Sequence, residues 1–564
     1  MSKEQKNLVR KTLAAAAAVA TITLFPALMP KTDAVDARSR LSPYSRTAIR
    51  DLVNKCDARM ENILVTEEAF EKLKRLGRPA VPLLIEEVPL GQHPHSCAAE
   101  VIGKVGVNDA QMKKLIKMLD SDDPSERTGA LDALRALYEA NPRDRRLTKA
   151  PQVLTQVLLY KAVNEEGAAQ ESTIKAISAI GKGAVPALLK SLSEIDSEAE
   201  AAVNISTQRT VAKTLSLISL SDDTLKTLAL LLSNADTDVQ TGAAFSIRAI
   251  YDANPKEPRL LSDMNLLVKA MLYAADSEYD RKGGADDLKA VISLGKPAIP
   301  ALMTMLPDLR EPVSGLSAKA IGAIGLNDPQ VSYLYTMLAG NVLAERAGAG
   351  RAFLELAKAD PKNQALLNLM PSFARLLRLK NNSPLESMVM VANANPKHPR
   401  VLGSVPILVS TLGSSLDSAS AAAEVLGEIK DPRVFPSISI ALLRFAHNGD
   451  VGTLPLSLAK VDDRRVVGML VNLIDAYAQR REAEAVTSRL TAAIALGNTR
   501  RPEAMAPLVK LLGEADFRTR LMSVRALKAL GQKSALPALK AVADKDVDSL
   551  VRLAALDAVK TLSK

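Results

Sequence analysis

Leu76-Gly-Arg-Pro-Ala-Val-Pro-Leu-Leu84 decides the fold because it comes back. It returns as Ile180-Gly-Lys-Gly-Ala-Val-Pro-Ala-Leu-Leu189, then as Leu294-Gly-Lys-Pro-Ala-Ile-Pro-Ala-Leu302. A late echo is Leu530-Gly-Gln-Lys-Ser-Ala-Leu-Pro-Ala-Leu539. The glycine after the aliphatic residue closes a helix, since Gly tolerates the left-handed conformation at C′. Pro82, Pro186 and Pro300 then fall in the first turn of the next helix. Backbone N–H groups there have no intrahelical partner, so Pro costs little. The stretch therefore reads as helix end, corner and helix start.

A second unit follows the first three copies. Thr128-Gly-Ala-Leu-Asp-Ala-Leu-Arg-Ala-Leu-Tyr-Glu-Ala-Asn-Pro142 aligns with Thr241-Gly-Ala-Ala-Phe-Ser-Ile-Arg-Ala-Ile-Tyr-Asp-Ala-Asn-Pro255 and with Ala347-Gly-Ala-Gly-Arg-Ala-Phe-Leu-Glu-Leu-Ala-Lys-Ala-Asp-Pro361, at offsets of 113 and 106 residues. A large repeat holding several helical hairpins is thus recognisable three times. Gly129, Gly242 and Gly348 recur inside a helix, where Gly costs up to ~1 kcal/mol against Ala. Close helix–helix approach would compensate. Over residues 124–140, Ser125, Thr128, Asp132, Arg135 and Glu139 make one polar stripe, with Leu131, Leu134, Leu137 and Tyr138 away from it, as in an amphipathic helix. About 28 helical segments, or about 14 hairpins, follow, each able to bury its face only against neighbours. The expected fold is all-α, an α-α superhelix, with an N-terminal segment 1–37, a first array 38–380 and a C-terminal array 381–564. Loops at Lys380-Asn-Asn-Ser-Pro384 and around His447-Asn-Gly-Asp450 read as ordinary connections in one stack.

Composition agrees. Of 564 residues, 47% are hydrophobic but only 3% aromatic, and there is no Trp, so the core must come from Ala, Leu, Val and Ile. Lys plus Arg number 73 against 63 Asp plus Glu, a formal +10 that suits an acidic partner without demanding one. Cys56 and Cys97 make no disulfide framework. They read as two free, partly buried thiols, with a single bridge as the alternative if the fold brings them together.

The C-terminal residues resemble HEAT repeats, particularly the short phycobilisome-lyase-like class. Arg489-Leu-Thr-Ala-Ala-Ile-Ala-Leu-Gly497 precedes Ala506-Pro-Leu-Val-Lys-Leu-Leu512. Arg520-Leu-Met-Ser-Val-Arg-Ala-Leu-Lys-Ala-Leu-Gly531 and Val551-Arg-Leu-Ala-Ala-Leu-Asp-Ala-Val559 follow. The resemblance implies an armadillo-type α-solenoid. It also implies an acidic residue between paired helices with an Arg about six residues on, which Glu514 with Arg520 and Asp546 with Arg552 fit. The middle copies depart from it, since Asp236 has Gly242 at that spacing. Some relatives of the class ligate bilins, but no residue set here carries that activity.

The N-terminus reads as an address. Lys3, Lys6, Arg10 and Lys11 precede an uncharged run from Thr12 to Met29, and small residues follow at Ala34, Val35 and Ala37. This is the plan of a secretory signal, with cleavage after Ala37 or after Ala34. The expected location is exported, periplasmic or secreted. The alternative is anchorage in the inner membrane by residues 12–29, which is the chain's one expected route to a membrane.

Sites of chemistry are scarce. His93-Pro-His95-Ser-Cys97 places two imidazoles and a thiol within five residues, a candidate metal set of His93, His95 and Cys97. Pro94 and the following Ala-rich helix favour a loop with Ser96 as cap instead. Arg143, Arg145, Arg146 and Lys149 crowd one loop, Arg464, Arg465, Arg480, Arg481, Arg489, Arg500 and Arg501 populate a later stretch, and Arg520 and Arg525 lie on one late helix. Of these, Arg143, Arg145, Arg146, Arg520 and Arg525 are the candidates for partner binding. Basic residues near helix C-termini are locally favoured without any ligand. The expectation is a non-catalytic scaffold with no cofactor that binds a protein partner or an anionic envelope polymer. A nucleic-acid-binding solenoid is one alternative, although aromatic stacking partners are few. A metal-dependent or bilin-lyase-like enzyme is the other.

Overall fold

The computed structural model describes residues 44–57, 63–91, 95–195, 201–276, 284–480 and 482–564. The expected signal at 1–37 lies outside these, as does His93. Among the described residues there are 32 α-helices and no strand. None of those helices is long and apolar enough to cross a membrane.

The predicted corners form as read. Helix Ile63–Leu76 stops at Gly77, whose φ of 63° is open to glycine, and a short 3-10 turn leads into Val81–Glu87 with Pro82 in its first turn. Gly181 and Gly295, both at φ 68°, make the same corner before Val185–Ser193 and Ile299–Met305. A second corner repeats without having been legible in the sequence. Asn108 and Asn327 each close a capping box, accepting from the backbone of Gln111 at 2.9 Å and Gln330 at 3.0 Å, while those glutamines accept in return. Two orphan donors at each helix start are thereby satisfied. The middle copy uses Ser221 against Thr224 at the same place.

Residues up to Ala150 form one compact unit and Pro151–Lys564 a second. Lys380 and Asn381 both belong to the second. Asn381 is buried there and its Nδ2 donates to the Leu338 carbonyl at 2.7 Å, so that loop is fastened to the stack. Within the second unit the longer helices pack on one another across the shorter ones. Ala201–Ser216 lies on Thr237–Ala253, which lies on Met264–Asp276, and Glu311–Ile324 lies on Leu343–Ala359. At the C-terminal end Ala483–Asn498, Phe517–Leu530 and Ser549–Leu562 follow in series.

The internal glycines sit where their long helix crosses an earlier short helix or turn. A Cβ on Gly348 would collide with the Leu306 carbonyl, lying 2.7 Å from its carbon, and one on Gly129 would lie 2.9 Å from the Val88 oxygen. At Gly242 the neighbour is the Leu192 side chain at 2.8 Å, which can move. Gly348→Ala should therefore destabilise the protein by roughly 1–3 kcal/mol despite alanine's better helix propensity. Gly242→Ala should cost less. Urea unfolding of the two variants gives the ranking, and equal midpoints would remove the close-packing explanation.

The core is aliphatic, with Ala and Leu in most buried positions. One aromatic contact interrupts it, Phe353 edge-on to Phe373 at 5.0 Å. Buried hydroxyls such as those of Thr214, Ser246 and Ser317 donate to the carbonyl four residues back, so they need no partner from another helix.

Candidate binding surface

The candidate metal residues resolve into a disulfide and a buried charge cluster. Cys56 ends helix Tyr44–Asp57, and Cys97 begins helix Cys97–Val105. They are bonded to each other across a sequence separation of 41, with Cα atoms 5.9 Å apart and both side chains buried. The expectation of two free thiols is corrected: the two helix ends meet in space, which spacing in the sequence does not report. A bridged sulfur is no thiolate ligand, so Cys97 leaves the candidate set. His95 holds Glu100 through Nδ1 at 3.0 Å. Among the described residues no group of His, Cys, Asp and Glu is arranged to hold a metal. Ser96 is the helix cap, as expected, accepting from the Ala99 N–H at 3.3 Å.

Beside the disulfide, the middle of the polar stripe of helix Pro124–Ala140 is buried, while Ser125 and Glu139 at its ends are exposed. Asp132 is 0% exposed and Arg135 is 1% exposed. Arg135 donates to Asp132 at 2.8 and 3.0 Å, to Glu100 at 2.6 Å and to Glu139 at 2.6 Å. Asp132 also accepts the backbone N–H groups of His95 and Ser96, at 3.1 and 2.8 Å, and Asp57 accepts that of Cys97 at 2.6 Å. Burial pushes Glu100 toward its neutral form, but hydrogen bonds from Arg135 and His95 outweigh it and leave the carboxyl below its usual range. The helix is amphipathic in sequence, yet Asp132 and Arg135 are covered where His95 and Ser96 lead into Cys97. This cluster holds the loop in place and satisfies its charges internally.

The basic clusters are largely committed to their own chain by a recurring Asp-x-Arg clamp. The aspartate accepts the backbone N–H two residues on and also pairs with that residue's guanidinium. Asp144 does so with Arg146 (2.9 and 2.6 Å), Asp308 with Arg310 (2.9 and 3.1 Å), Asp431 with Arg433 (2.9 and 2.5 Å), and Asp463 with Arg465 (2.8 and 2.7 Å). Arg465 draws Asp463 down to about 2. Arg146 reaches further, to the Val107 carbonyl at 2.9 Å and Asp109 at 3.2 Å, tying two loops together. These arginines sit at or near helix starts. Arg143 and Arg145 are exposed.

Arg520 is also structural. It is 8% exposed and belongs to a ladder in the C-terminal array. Its Nη1 donates to the carbonyls of Glu514 and Ala515 at 3.0 and 2.8 Å, closing the corner that leads into its own helix. Arg552 repeats this on Asp546 and Val547, and Arg127 on Ser121 and Asp122. The expected partner is therefore corrected from side chain to backbone. The carboxylates face the arginine of the preceding pair instead, Glu514 accepting from Arg489 at 3.1 Å and Asp546 from Arg520 at 2.8 and 2.9 Å. The middle copies do not lack this closure. Gln240 stands four residues after the Asp236 cap, as Arg520 does after Asp516, and its Nε2 donates to the Asn234 carbonyl.

The Arg520 hydrogen bonds hold Asp546 below the usual carboxylate range. A depressed folded value adds stability above the unfolded pKa, about 3.9, and that stability is lost as pH falls through the folded value. Arg520→Met should cost about 2 kcal/mol at pH 6, since Asp546 keeps its bond from the Asp548 N–H. The gap between wild type and variant should narrow below about pH 4. Urea titrations of both proteins at pH 6 and pH 3 measure it, and a gap constant with pH would rule out the ion pair as its source.

Grooves remain between neighbouring long helices. One of about 550 Å³ is lined by Arg209, Lys213, Phe245 and Arg248, and one of about 700 Å³ lies between Phe517–Leu530 and Ser549–Leu562 with Arg525 on its wall. Arg525 is exposed and pairs with no carboxylate among the described residues.

Paired helices stacked in series within each unit, with corners closed by arginine, make an all-α helical-repeat fold among the described residues. Residues 474–560 match the family model for HEAT repeats. No curated protein matches the chain by sequence. Among solved structures it is similar to yeast importin-β (Kap95p), at 13% identity and a TM-score of 0.40, over 92% of this chain and 77% of that one. The Kap95:Nup1 complex is matched at 12% identity and 0.40 over the same shares. Importin-β crystallised in polyethylene glycol is matched at 11% and 0.38, over 92% and 82%.

Proposed function

We propose that this chain is an exported, non-catalytic scaffold that holds a protein partner on its helical repeat surface. The observation that carries this reading is the grooved face between successive long helices, where apolar floors and basic rims lie side by side. Repeat stacks present such surfaces over long distances, and modest contacts can sum along them. Export is supported by the basic, apolar and small-residue order of residues 1–37 and by the cysteine pair, since disulfides persist in oxidising compartments. A mature chain beginning after Ala37 carries 68 Lys and Arg against 60 Asp and Glu, so an acidic partner is favoured. Expression with the native N-terminus, fractionation and N-terminal sequencing test the location. An uncleaved protein found wholly in the cytoplasm would overturn it.

A further inference from the structure

The groove between helices Phe517–Leu530 and Ser549–Leu562 differs from the rest of the surface in two ways. Its floor is apolar and open: Leu550 and Leu553 are 57% and 63% exposed, and Leu521 faces them from the other helix. Single exposed leucines are ordinary, but leucines facing each other across a cleft are not. Its wall is basic. Residues 517–564 hold ten Lys and Arg against four Asp and Glu, while the whole chain carries only +10.

The groove has a direction. Arg520 meets Asp546 just before it, and Lys528 meets Asp557 within it at 2.6 Å, so the two helices run the same way in close register. Leu521, Leu550 and Leu553 fall in its first half and the Lys528–Asp557 pair in its second. Arg525 stands between them with no carboxylate of its own. Helices laid in such grooves anchor by apolar residues three or four apart. A buried or rim arginine adds a directional contact to a carboxylate.

The geometry points to a docking site for a short, acidic, amphipathic helix of a protein partner, with two leucine-sized side chains on the Leu521–Leu550–Leu553 floor and a carboxylate on Arg525. This rests on the scaffold reading above and specifies its partner.

The probe is a labelled 14-residue peptide with Leu at positions 4, 7 and 11 and Glu at most others. Its Gln counterpart and polyglutamate serve as comparisons, all read by fluorescence anisotropy on the full chain. Leu553→Glu and Arg525→Glu should each weaken binding of the Leu/Glu peptide at least tenfold, and the Gln peptide should bind at least fivefold more weakly. Both substitutions lie at exposed positions, and unchanged circular dichroism melts confirm folding. Equal binding by the folded variants overturns the site. So does polyglutamate binding as tightly as the peptide, which makes the surface a charge patch for anionic polymers. A concentration-dependent dimer in sedimentation velocity, abolished by Leu553→Glu, assigns the groove to a second copy and also overturns it. Cross-linked capture in the native compartment separates the two readings. A partner held equally by wild type and Leu553→Glu removes this groove but keeps the scaffold, whereas no partner for the wild type removes both.

Discussion

Arg135→Met should destabilise the first unit by roughly 3–5 kcal/mol, because it removes a guanidinium shared by three carboxylates, of which Asp132 is fully buried. Asp132 would keep the N–H groups of His95 and Ser96 but lose both guanidinium contacts, and Glu100 and Glu139 would lose theirs. A carboxylate at 0% exposure that has lost its guanidinium is driven toward protonation or hydration, and either loosens the loop. Replacing the pair with Arg135→Met and Asp132→Leu should recover only part of the loss, since the two loop N–H groups then lack an acceptor. The measurement is urea unfolding of the full chain with the transition of residues 44–150 followed by hydrogen exchange. A loss under 1 kcal/mol would mean that the cluster is hydrated and its ion pairs are marginal.

The disulfide should contribute about as much. Cross-linking residues 41 apart removes loop-closure entropy from the unfolded chain worth ~4 kcal/mol. Cys56→Ala with Cys97→Ala should therefore lower the stability of the first unit by about that amount and leave residues 151–564 nearly untouched. Thiol reductant on the wild type should give the same result, and the double variant should then be insensitive to it. If reductant destabilises the variant and the wild type equally, the effect is not the bridge. The two predictions are coupled: Asp57 accepts the Cys97 N–H next to the bridge, and Asp132 accepts the two before it. Losses from the two lesions should combine non-additively, as expected for groups that share one loop.

The helices, their order and their corners were legible because each rests on a local rule. Gly77, Pro82 and their copies act on their own backbone, and the read-out is correct to the residue. What stayed hidden depends on which strangers meet. Cys56 and Cys97 are brought together by the packing of the two α-helices and two 3-10 turns between them. Asp132 and Arg135 look like solvent-facing residues because nothing in their own helix reveals the loop that covers them. The arginine ladder was half visible. The six-residue spacing was real, but it measures the reach to a carbonyl, and in the middle copy Gln240 makes that reach where a search for arginine finds none. Among the partner-binding candidates, Arg146 and Arg520 prove structural, while Arg143, Arg145 and Arg525 face outward. Only the grooves' geometry separates Arg525 from the rest.

The ladder also sets how the C-terminal array comes apart. Arg520 grips its own corner and the carboxylate of the following one, so neither helix pair can fray without loosening the other. In a stack where each repeat contacts only its neighbours, such a rung is the coupling constant between adjacent units. Slow amide protons on Phe517–Leu530 and Ser549–Leu562 should then exchange together, as one opening event. With the rung cut, the last helix should acquire its own, faster clock, and the protein would lose its terminal pair by degrees instead of all at once.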